Sequence, residues 1–406
     1  MAPTQQNGHA AVENGNGKAH GDAVCVENGN GHPKAWRFAR AGSSVKERAM
    51  AGEGDKISIR AVRFKIMASV EERGPRPVLP LAHGDPSVFP AFRTAVEAED
   101  AVAAALHTGQ SNCYAAGVGL PAARRALAEH LSHDLPYKLT TDDIFLTAGG
   151  TQAIEVVISV LAKPGTNILL PKPGYPNYEA RAAFNNFEVR HFDLVPEKGW
   201  EIDVDSLEAI ADENTTAMVL INPNNPCGSV YSHQHLAKVA EVARKLGILI
   251  ISDEVYGNLV FGSSPFIPMG VFGHVVPVLT IGSLSKRWIV PGWRLGWVAA
   301  CDPNKILQTS KITASITNFL NVSTDPATFI QVKLNLYLLE GIQDDVDFCC
   351  QLAKEESVIL CPGSVLGMEN WVRITFAIDS SSLLDGLKRI KSFCERHNKK
   401  NLLNGF

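Results

Sequence analysis

The chain has 406 residues, a formal net charge of −4, 45% hydrophobic residues and 20% charged residues. This balance is typical of a globular chain that buries a sizeable core, and the length suggests two or three domains. The sequence contains no basic stripe of the kind that binds nucleic acid or a membrane surface, and it contains no apolar run long enough to cross a bilayer. The eight cysteines have no CxxC spacing, so we expect reduced thiols, no metal ligands and a cytoplasmic protein.

The first 57 residues are predicted to form a disordered tail and linker. Residues 1–35 are rich in Asn, Gly, His and Ala, with near-repeats at 13–17 and 27–31. Such a composition buries too little apolar surface to order itself. The first arginine is Arg37 and acidic residues occur early, so the segment does not resemble a transit peptide.

Residues 58–95 are predicted to form an N-terminal arm and part of a smaller domain. A short helix is expected over 59–68, followed by a turn at 83–86 that contains Gly and Pro. Helical periodicity then extends over 90–106 and over 121–131, the second with a proline near its start.

Residues 96–302 show a regular alternation of apolar strands and helices, which predicts the larger domain. Continuously apolar strands separated by helices indicate an α/β fold with a buried, mostly parallel sheet, here of seven strands. The predicted strands are 145–147, 167–170, 187–193, 217–221, 247–251, 276–281 and 295–300. The predicted helices between them are 152–162, 177–184, 205–211 and 233–245. Ligands of such sheets bind at the carboxyl ends of the strands.

Residues 303–331 are predicted to be interdomain helices, and 332–406 the remainder of the smaller domain. One helix is expected over 303–315, and residues 323–326 form a strong start for another. A strand-like alternation nevertheless begins at Val332, with no Gly, Pro or Asn to end that second helix. The inconsistency locates an irregular junction at Gln331–Val332. Further helices are expected at 345–356 and 381–396, and strands at 357–361 and 371–376.

Lys286 lies on a hydroxyl-flanked turn between two apolar strands and is the main candidate for catalysis. A lysine on a rigid turn can form a Schiff base with an aldehyde. Ser283, Ser285 and Arg294 could hold a phosphate. Pyridoxal 5'-phosphate (PLP) is a cofactor with both groups. The alternative, a surface lysine in a loop, requires many co-spaced residues to coincide by chance.

A buried carboxylate is needed to keep the pyridine nitrogen of PLP protonated, and Asp253 fits because it follows strand 247–251. Tyr256 and Asn225 could both donate to the ring hydroxyl, which would lower the pKa of the lysine adduct. Taken singly, Asp253 could instead be a turn cap, Tyr256 a packed aromatic and Asn225 a turn residue. Their joint occurrence at strand ends favours the cofactor site.

Gly150 and Thr151 stand where a strand turns into a helix, so their backbone N–H groups and the helix dipole suit a phosphate. Tyr175 could stack on the pyridine face. Arg373 is a charge within an apolar strand, where an unpaired arginine is costly. Its partner is either a substrate carboxylate or a structural Asp or Glu.

These residues resemble the fold-type I PLP-dependent aminotransferases, specifically the tyrosine aminotransferase-like group, and within it the nicotianamine aminotransferases of grasses. The most specific pieces are 173–178, 222–228, 253–256 and 283–297. The resemblance implies a large domain with a parallel sheet between helices, a smaller α+β domain, and a homodimer with shared active sites.

The resemblance also implies a role for each candidate residue. Lys286 would be the Schiff-base lysine and proton shuttle, Asp253 would face the pyridine nitrogen, and Asn225 and Tyr256 the ring hydroxyl. The residues implied around the ring face and the phosphate are Tyr175, Gly150, Thr151, Ser283, Arg294 and, from the neighbouring subunit, Tyr114. Arg373 and the backbone near Gly84 would bind the substrate carboxylate.

The implied reaction is ping-pong transamination from nicotianamine or an aromatic amino acid such as tyrosine to 2-oxoglutarate, in amino acid metabolism and phytosiderophore biosynthesis. A PLP lyase on the same fold is an alternative. In this chain, 87 positions separate Lys286 from Arg373. Members of the family carry a longer stretch between the lysine and the arginine. The Gln331–Val332 junction therefore looks like an internal deletion. A weakly active or inactive isoform that pairs with full-length subunits is the third interpretation.

Overall fold

The computed structural model describes residues 92–261 and 264–332, together with Leu81, Gly84, Asp85, Ser87, Phe89 and four short strand segments. The helices predicted at 59–68, 345–356 and 381–396 lie outside these residues. Over the described ranges, no helix combines the length and the apolar character needed to cross a membrane.

The first two strand segments pair inside the part of the chain predicted to be disordered. β1 (Cys25–Glu27) and β2 (Pro33–Ala35) are antiparallel, with Cys25 opposite Ala35. The sequence between them contains two Asn-Gly pairs, which are typical of hairpin turns. A short hairpin of this kind depends on local turn chemistry, to which composition gives no weight, and the disordered tail over residues 1–57 stays a prediction.

An eight-stranded sheet forms the centre of the described chain, in the order β3-β10-β9-β8-β7-β4-β5-β6. Its strands are β3 Ile144–Thr147, β4 Asn167–Lys172, β5 Glu188–Val195, β6 Glu201–Ile202, β7 Thr215–Ile221, β8 Leu249–Asp253, β9 Val278–Ser283 and β10 Gly296–Cys301. The four central pairings are parallel, whereas β10 is antiparallel to both of its neighbours and β6 is antiparallel to β5. The α/β class is confirmed. The count of seven strands is wrong because β6, with two residues, is too short to leave a hydrophobic pattern.

Helices cover both faces of the sheet. They are α1 Val96–His107, α2 Pro121–Ser132, α3 Gly150–Leu161, α4 Asn177–Phe184, α5 Val204–Ile210, α6 His233–Leu246, α7 Leu284–Arg287, α8 Ile306–Thr309, α9 Ile312–Leu320 and α10 Thr328–Val332. Alternate strand residues face opposite sides, so Met218 and Leu220 of β7 belong to one core and Val219 and Ile221 to the other. Burial on both faces explains why the strands are continuously apolar.

The limits of α6 follow from its capping residues. Before the helix, the Ser232 side chain accepts a hydrogen bond from the backbone N–H of His235. After it, Gly247 adopts the left-handed conformation with φ 69° and ends the helix. These capping residues set the length of α6, and β8 begins shortly after Gly247, at Leu249.

The single helix predicted over 303–315 is wrong. Two shorter helices, α8 and α9, replace it, and each is preceded by a lysine in the left-handed region. Lys305 has φ 58° and Lys311 has φ 62°. Helical periodicity in the sequence is unaffected by two such residues, so it could not reveal the break.

α10 ends at the Gln331–Val332 junction and is fixed to the large domain. Gln331 is fully buried, and its side chain accepts from the Leu120 N–H at 2.8 Å and donates to the Pro326 carbonyl at 2.8 Å. Thr328 donates to the Cys113 carbonyl at 2.9 Å. Beyond the junction, the strand segments β11 (Cys361–Pro362) and β12 (Val372–Arg373) pair antiparallel, inside or beside the two strands predicted there.

Candidate active site

The predicted cofactor residues gather at the carboxyl ends of the parallel strands. Asp253 is the last residue of β8 and Ser283 the last of β9. Asn225, Tyr175 and Gly150 follow the ends of β7, β4 and β3 within four residues. Because these strands run in the same direction, their ends share one edge of the sheet, where α/β proteins bind ligands.

Lys286 meets two other predicted residues at this edge. Its amine donates to the backbone carbonyl of Gly84, 202 positions earlier in the chain. The same Nζ lies 5.8 Å from the centroid of the Tyr256 ring. A Cβ added to Gly84 would stand 3.4 Å from the Lys286 amine and 3.7 Å from the Tyr256 hydroxyl. Both distances are ordinary van der Waals contacts, so what Gly84 supplies to the lysine amine is its backbone carbonyl as a hydrogen-bond acceptor.

Asp253 is a buried carboxylate, with 4% of its surface exposed. It accepts a hydrogen bond from the Tyr178 hydroxyl at 2.9 Å and one from the Val255 N–H at 3.3 Å. Burial raises the pKa of Asp253 to about 6, while the two hydrogen bonds act in the opposite direction. The carboxylate is thus largely ionised at neutral pH but poorly solvated, and a cation beside it would be stabilising.

The start of α3 is arranged to receive an anion. Among the described residues, no side chain caps this helix, and its N-cap Gly149 has φ 78°. The Arg294 guanidinium lies against Gly149 and donates to the Ala148 carbonyl at 3.1 Å and to the Pro291 carbonyl at 2.7 Å. A Cβ added to Gly150 would stand 3.9 Å from the Cβ of the buried Ser283. Helix dipole, guanidinium and hydroxyl therefore converge.

The remaining predicted residues are less constrained by the structure. Asn225 and Tyr175 are half-buried, and Thr151 is exposed at the start of α3. Tyr114 is 96% exposed on the loop between α1 and α2. Arg373 belongs to β12, but its side chain lies outside the described residues. Whether Arg373 reaches the edge that carries Lys286 stays a prediction.

Sequence analysis missed Tyr178. This residue is on the first turn of α4, 1% exposed, and it touches Asp253 from 75 positions away in the sequence. Its ring also packs edge-on against Tyr175, with the centroids 6.4 Å apart. The sequence carries no signal for this contact, because Tyr175 precedes α4 and the approach of Tyr178 to Asp253 depends on how α4 packs on the sheet.

These groups fit PLP. The amine of Lys286, the buried carboxylate of Asp253 and the uncapped start of α3 with Arg294 match the aldehyde, the pyridine nitrogen and the phosphate in charge and hydrogen-bonding character. Tyr256 and Asn225, which follow β8 and β7, supply further hydrogen-bond donors at the same edge of the sheet.

The family model for "Aminotransferase class I and II" matches residues 76–329, well over half of the chain. Nicotianamine aminotransferase 1 of Oryza sativa subsp. japonica is 71% identical, over 92% of this chain and 86% of that protein. The S-alkyl-thiohydroximate lyase of Arabidopsis thaliana is 47% identical, over 91% of this chain and 90% of that protein. The crystal structure of tyrosine aminotransferase from Leishmania infantum superposes with a TM-score of 0.72 at 25% identity, covering 76% of this chain and 93% of that one.

The alignments have more positions than this chain contributes. The alignment with the rice protein spans 427 positions, whereas 92% of 406 residues is about 374, so about 50 positions have no counterpart here. With the Arabidopsis lyase, 423 positions stand against about 369 residues, again a difference of about 50. The family match ends at residue 329, two residues before the Gln331–Val332 junction. On the match to the family model and the identity to its members, this chain belongs to the class I and II aminotransferases, which are PLP-dependent enzymes.

Proposed function

We propose that the chain transfers the amino group of nicotianamine, or of an aromatic amino acid such as tyrosine, to 2-oxoglutarate. The observation that carries this proposal is the 71% identity with a nicotianamine aminotransferase across nearly the whole chain. The position of Lys286 supports it, since its amine is hydrogen-bonded to the Gly84 carbonyl and lies 5.8 Å from the centroid of the Tyr256 ring. We place this reaction in the cytoplasm and in phytosiderophore biosynthesis.

Each residue of the site has a proposed task. When bound, PLP supplies an aldehyde that accepts the donor's amino group and a ring that stabilises negative charge at the donor's Cα. With the cofactor bound, Lys286 Nζ would take the proton from the donor's Cα and deliver it to the former aldehyde carbon of the cofactor, because its amine is the mobile base of the site. Asp253 holds a proton at the pyridine nitrogen through its buried carboxylate. Tyr256 and Asn225 bind the ring hydroxyl.

The other residues bind and orient. Arg294, Ser283, Gly150 and Thr151 hold the phosphate at the start of α3, and Tyr175 covers the ring face. Arg373, with the backbone near Gly84, binds the α-carboxylate that every amino donor and 2-oxo acid presents. Because donor and acceptor share this carboxylate, one site can bind them in turn, and the donor leaves as its 2-oxo acid before 2-oxoglutarate enters.

We further propose a homodimer in which Tyr114 reaches the phosphate site of the second subunit. Tyr114 is 96% exposed, and Val322, on a segment packed near the same loop, is 87% exposed. Large apolar side chains with so little cover are typical of surfaces that another chain buries.

A lyase reaction at the same site is a second candidate, favoured by the 47% identity with the S-alkyl-thiohydroximate lyase. The two reactions begin with the same binding of donor and differ in which bond breaks next. An S-alkyl-thiohydroximate substrate that releases its thiol with no 2-oxo acid present would support the lyase. Amino transfer that requires 2-oxoglutarate would support the aminotransferase.

A third candidate follows from the alignment positions that lack a counterpart here. If about 50 residues are missing at Gln331–Val332, residues 332–406 form an incomplete smaller domain and Arg373 loses its support. The chain would then bind PLP weakly, transfer amino groups slowly and pair with full-length subunits. Co-expression with a full-length relative tests this pairing: mixed dimers on tag-based purification support it, and separate homodimers contradict it.

The experiment that tests the main proposal measures glutamate formed from 2-oxoglutarate by the purified chain with PLP. Nicotianamine and tyrosine are offered separately, and the Lys286→Arg variant is the control. We expect glutamate with at least one of the two donors and none from the variant. No glutamate from either donor, with PLP bound, would contradict the proposal.

A further inference from the structure

Arg287, the residue after Lys286, joins three parts of the site. Its guanidinium lies 2.8 Å from His130 Nε2 on α2 and donates to Asn258 Oδ1 at 3.0 Å. Asn258 is two residues after Tyr256, in the loop that leaves β8. The guanidinium carbon also lies 4.5 Å from the centroid of the Trp288 ring. One side chain thus connects α7, α2 and the loop that carries Tyr256.

His130 is an acceptor in this arrangement. Burial first, and then the nearby charges of Arg287 and His133, lower the pKa of His130 to about 4. The imidazole is therefore neutral at pH 7. A guanidinium has donors only, so Nε2 accepts and the ring proton is on Nδ1. The His130–Arg287 contact is a charge-assisted hydrogen bond with a defined tautomer.

α7 has little support of its own. It is four residues long, and the hydrogen bond from the Trp288 N–H to the Leu284 carbonyl at 3.1 Å closes a turn over this whole length. Ile289 follows with φ 58°, a left-handed conformation that a β-branched residue adopts at a cost. Such strain persists only where surrounding contacts over-determine it. The hydrogen bonds of Arg287 are contacts of this kind.

We propose that Arg287 is a positioning residue that fixes the Lys286 amine relative to the Tyr256 ring. It holds α7, which carries Lys286, to Asn258 on one side and to His130 on the other. The inference rests on the proposed function, because it assigns a purpose to the placement of Lys286. It adds a residue to which the sequence assigned no role.

The first test uses Arg287→Ala, with Arg244→Ala as the matched control. Arg244 is exposed on α6 and pairs with Glu241 of the same helix at 2.8 Å, so its replacement likewise removes a guanidinium with a side-chain partner, away from the site. We expect the Kd for PLP of Arg287→Ala to rise about ten-fold, the loss expected for one charged hydrogen bond. The control should match the wild-type chain.

The second test separates positioning from general support. His130→Ala removes the acceptor and should weaken PLP binding, whereas His130→Gln keeps an acceptor oxygen and should restore it to within about two-fold. These two variants also carry the test if Arg287→Ala does not fold. PLP affinities equal to that of Arg244→Ala, or a Gln variant as weak as the Ala variant, would overturn the proposal.

A readout on the chain without PLP separates this inference from the proposed function. The rate at which an amine reagent labels Lys286, mapped by mass spectrometry, should change in Arg287→Ala and stay unchanged in Arg244→Ala. If the wild-type chain does not bind PLP but the labelling difference is present, the proposed function fails and the positioning role stands. Equal labelling in both variants would overturn the positioning role.

Discussion

Among single residues, Asp253 is a buried carboxylate whose lost solvation is only partly replaced by hydrogen bonds. Its carboxylate is buried at the end of β8, and burial raises its pKa to about 6 although Tyr178 and Val255 donate to it. Two neutral donors do not replace the solvation that an ionised carboxyl loses. A protonated ring nitrogen would give the carboxylate a cationic partner, so we expect PLP to stabilise the folded chain.

The first prediction concerns Asp253→Asn. Because the folded-state pKa lies above the ordinary value, the folded chain binds this proton more tightly than the unfolded chain does. Its stability therefore falls as pH rises through about 4 to 6. Asparagine does not titrate, so the variant should gain stability over the wild type as pH rises, by up to about 3 kcal/mol at pH ~8. Urea unfolding of both chains without PLP, near pH 4.5 and near pH 8, measures the difference in their unfolding free energies. A difference that does not change with pH would contradict this prediction. The variant should also bind PLP more weakly.

The second prediction concerns Tyr178→Phe. The phenylalanine removes the 2.9 Å hydrogen bond to Asp253 and keeps the ring in its place. A hydrogen bond to a charged group contributes about 1.5 kcal/mol or more, so PLP affinity should fall about ten-fold. Tyr137→Phe is the control, since the half-buried Tyr137 also uses its hydroxyl as a donor, but to the Gly270 carbonyl. Equal affinities of the two variants, measured by PLP titration, would show that Tyr178 does not support the site.

Asp253 and Tyr178 differ in what the sequence reveals about them. Asp253 was predictable because an acidic residue directly after an apolar strand stands at the ligand-binding edge of a parallel sheet. Tyr178 was not, because its contact with Asp253 depends on how α4 packs on the sheet. No periodicity within the sequence encodes a contact between residues 75 positions apart.

At the scale of elements, the start of α3 depends on close backbone approach. Gly296 of β10 lies beneath it, and a Cβ there would stand 2.6 Å from the carbonyl carbon of Gly149 and 2.7 Å from the backbone nitrogen of Gly150. Only a residue without a side chain lets β10 pass under the proposed phosphate site. The sequence identified the Gly149–Gly150 turn but gave no reason to connect it with Gly296.

The third prediction concerns Gly296→Ala. The new methyl group collides with backbone atoms that cannot rotate away, so α3 should shift at its first turn. We expect a loss of about 1–3 kcal/mol in unfolding free energy and weaker binding of PLP. Gly292→Ala provides the control, because a Cβ at Gly292 has no described atom within 4 Å. Thermal unfolding of both variants measures the difference, and equal melting temperatures would contradict the account.

The break between α8 and α9 marks the limit of sequence patterns at this scale. The pattern over 303–315 has the spacing of one helix, yet Lys305 and Lys311 adopt left-handed conformations. Such conformations are unusual for lysine and are imposed by tertiary context, which propensity does not contain.

At the scale of the whole molecule, the sequence predicted the α/β class and the strands from 145 to 300 because each strand is buried on both faces. It also located the junction at Gln331–Val332, next to the end of the family match at residue 329. Gln331 fixes the chain to the large domain up to that point. We therefore expect the proposed cofactor residues, which precede the junction, to keep the positions described above.

The fourth prediction restores the proposed missing segment. Inserting the corresponding stretch of the rice relative after Gln331 should raise the rate of amino transfer at least about ten-fold, because the domain that carries Arg373 would regain its packing. PLP binding should change little, since the proposed cofactor residues precede the junction. Unchanged turnover in a folded chimera would argue against an internal deletion.

Covalent trapping of PLP on Lys286 tests whether this chain builds a PLP site around that lysine. The purified chain is incubated with PLP, reduced with borohydride and digested, and the peptides are weighed by mass spectrometry. We expect the peptide containing Lys286 to carry the added mass of the cofactor, and Lys286→Arg to abolish it. A folded, soluble chain whose Lys286 peptide carries no added mass would contradict the proposed PLP site.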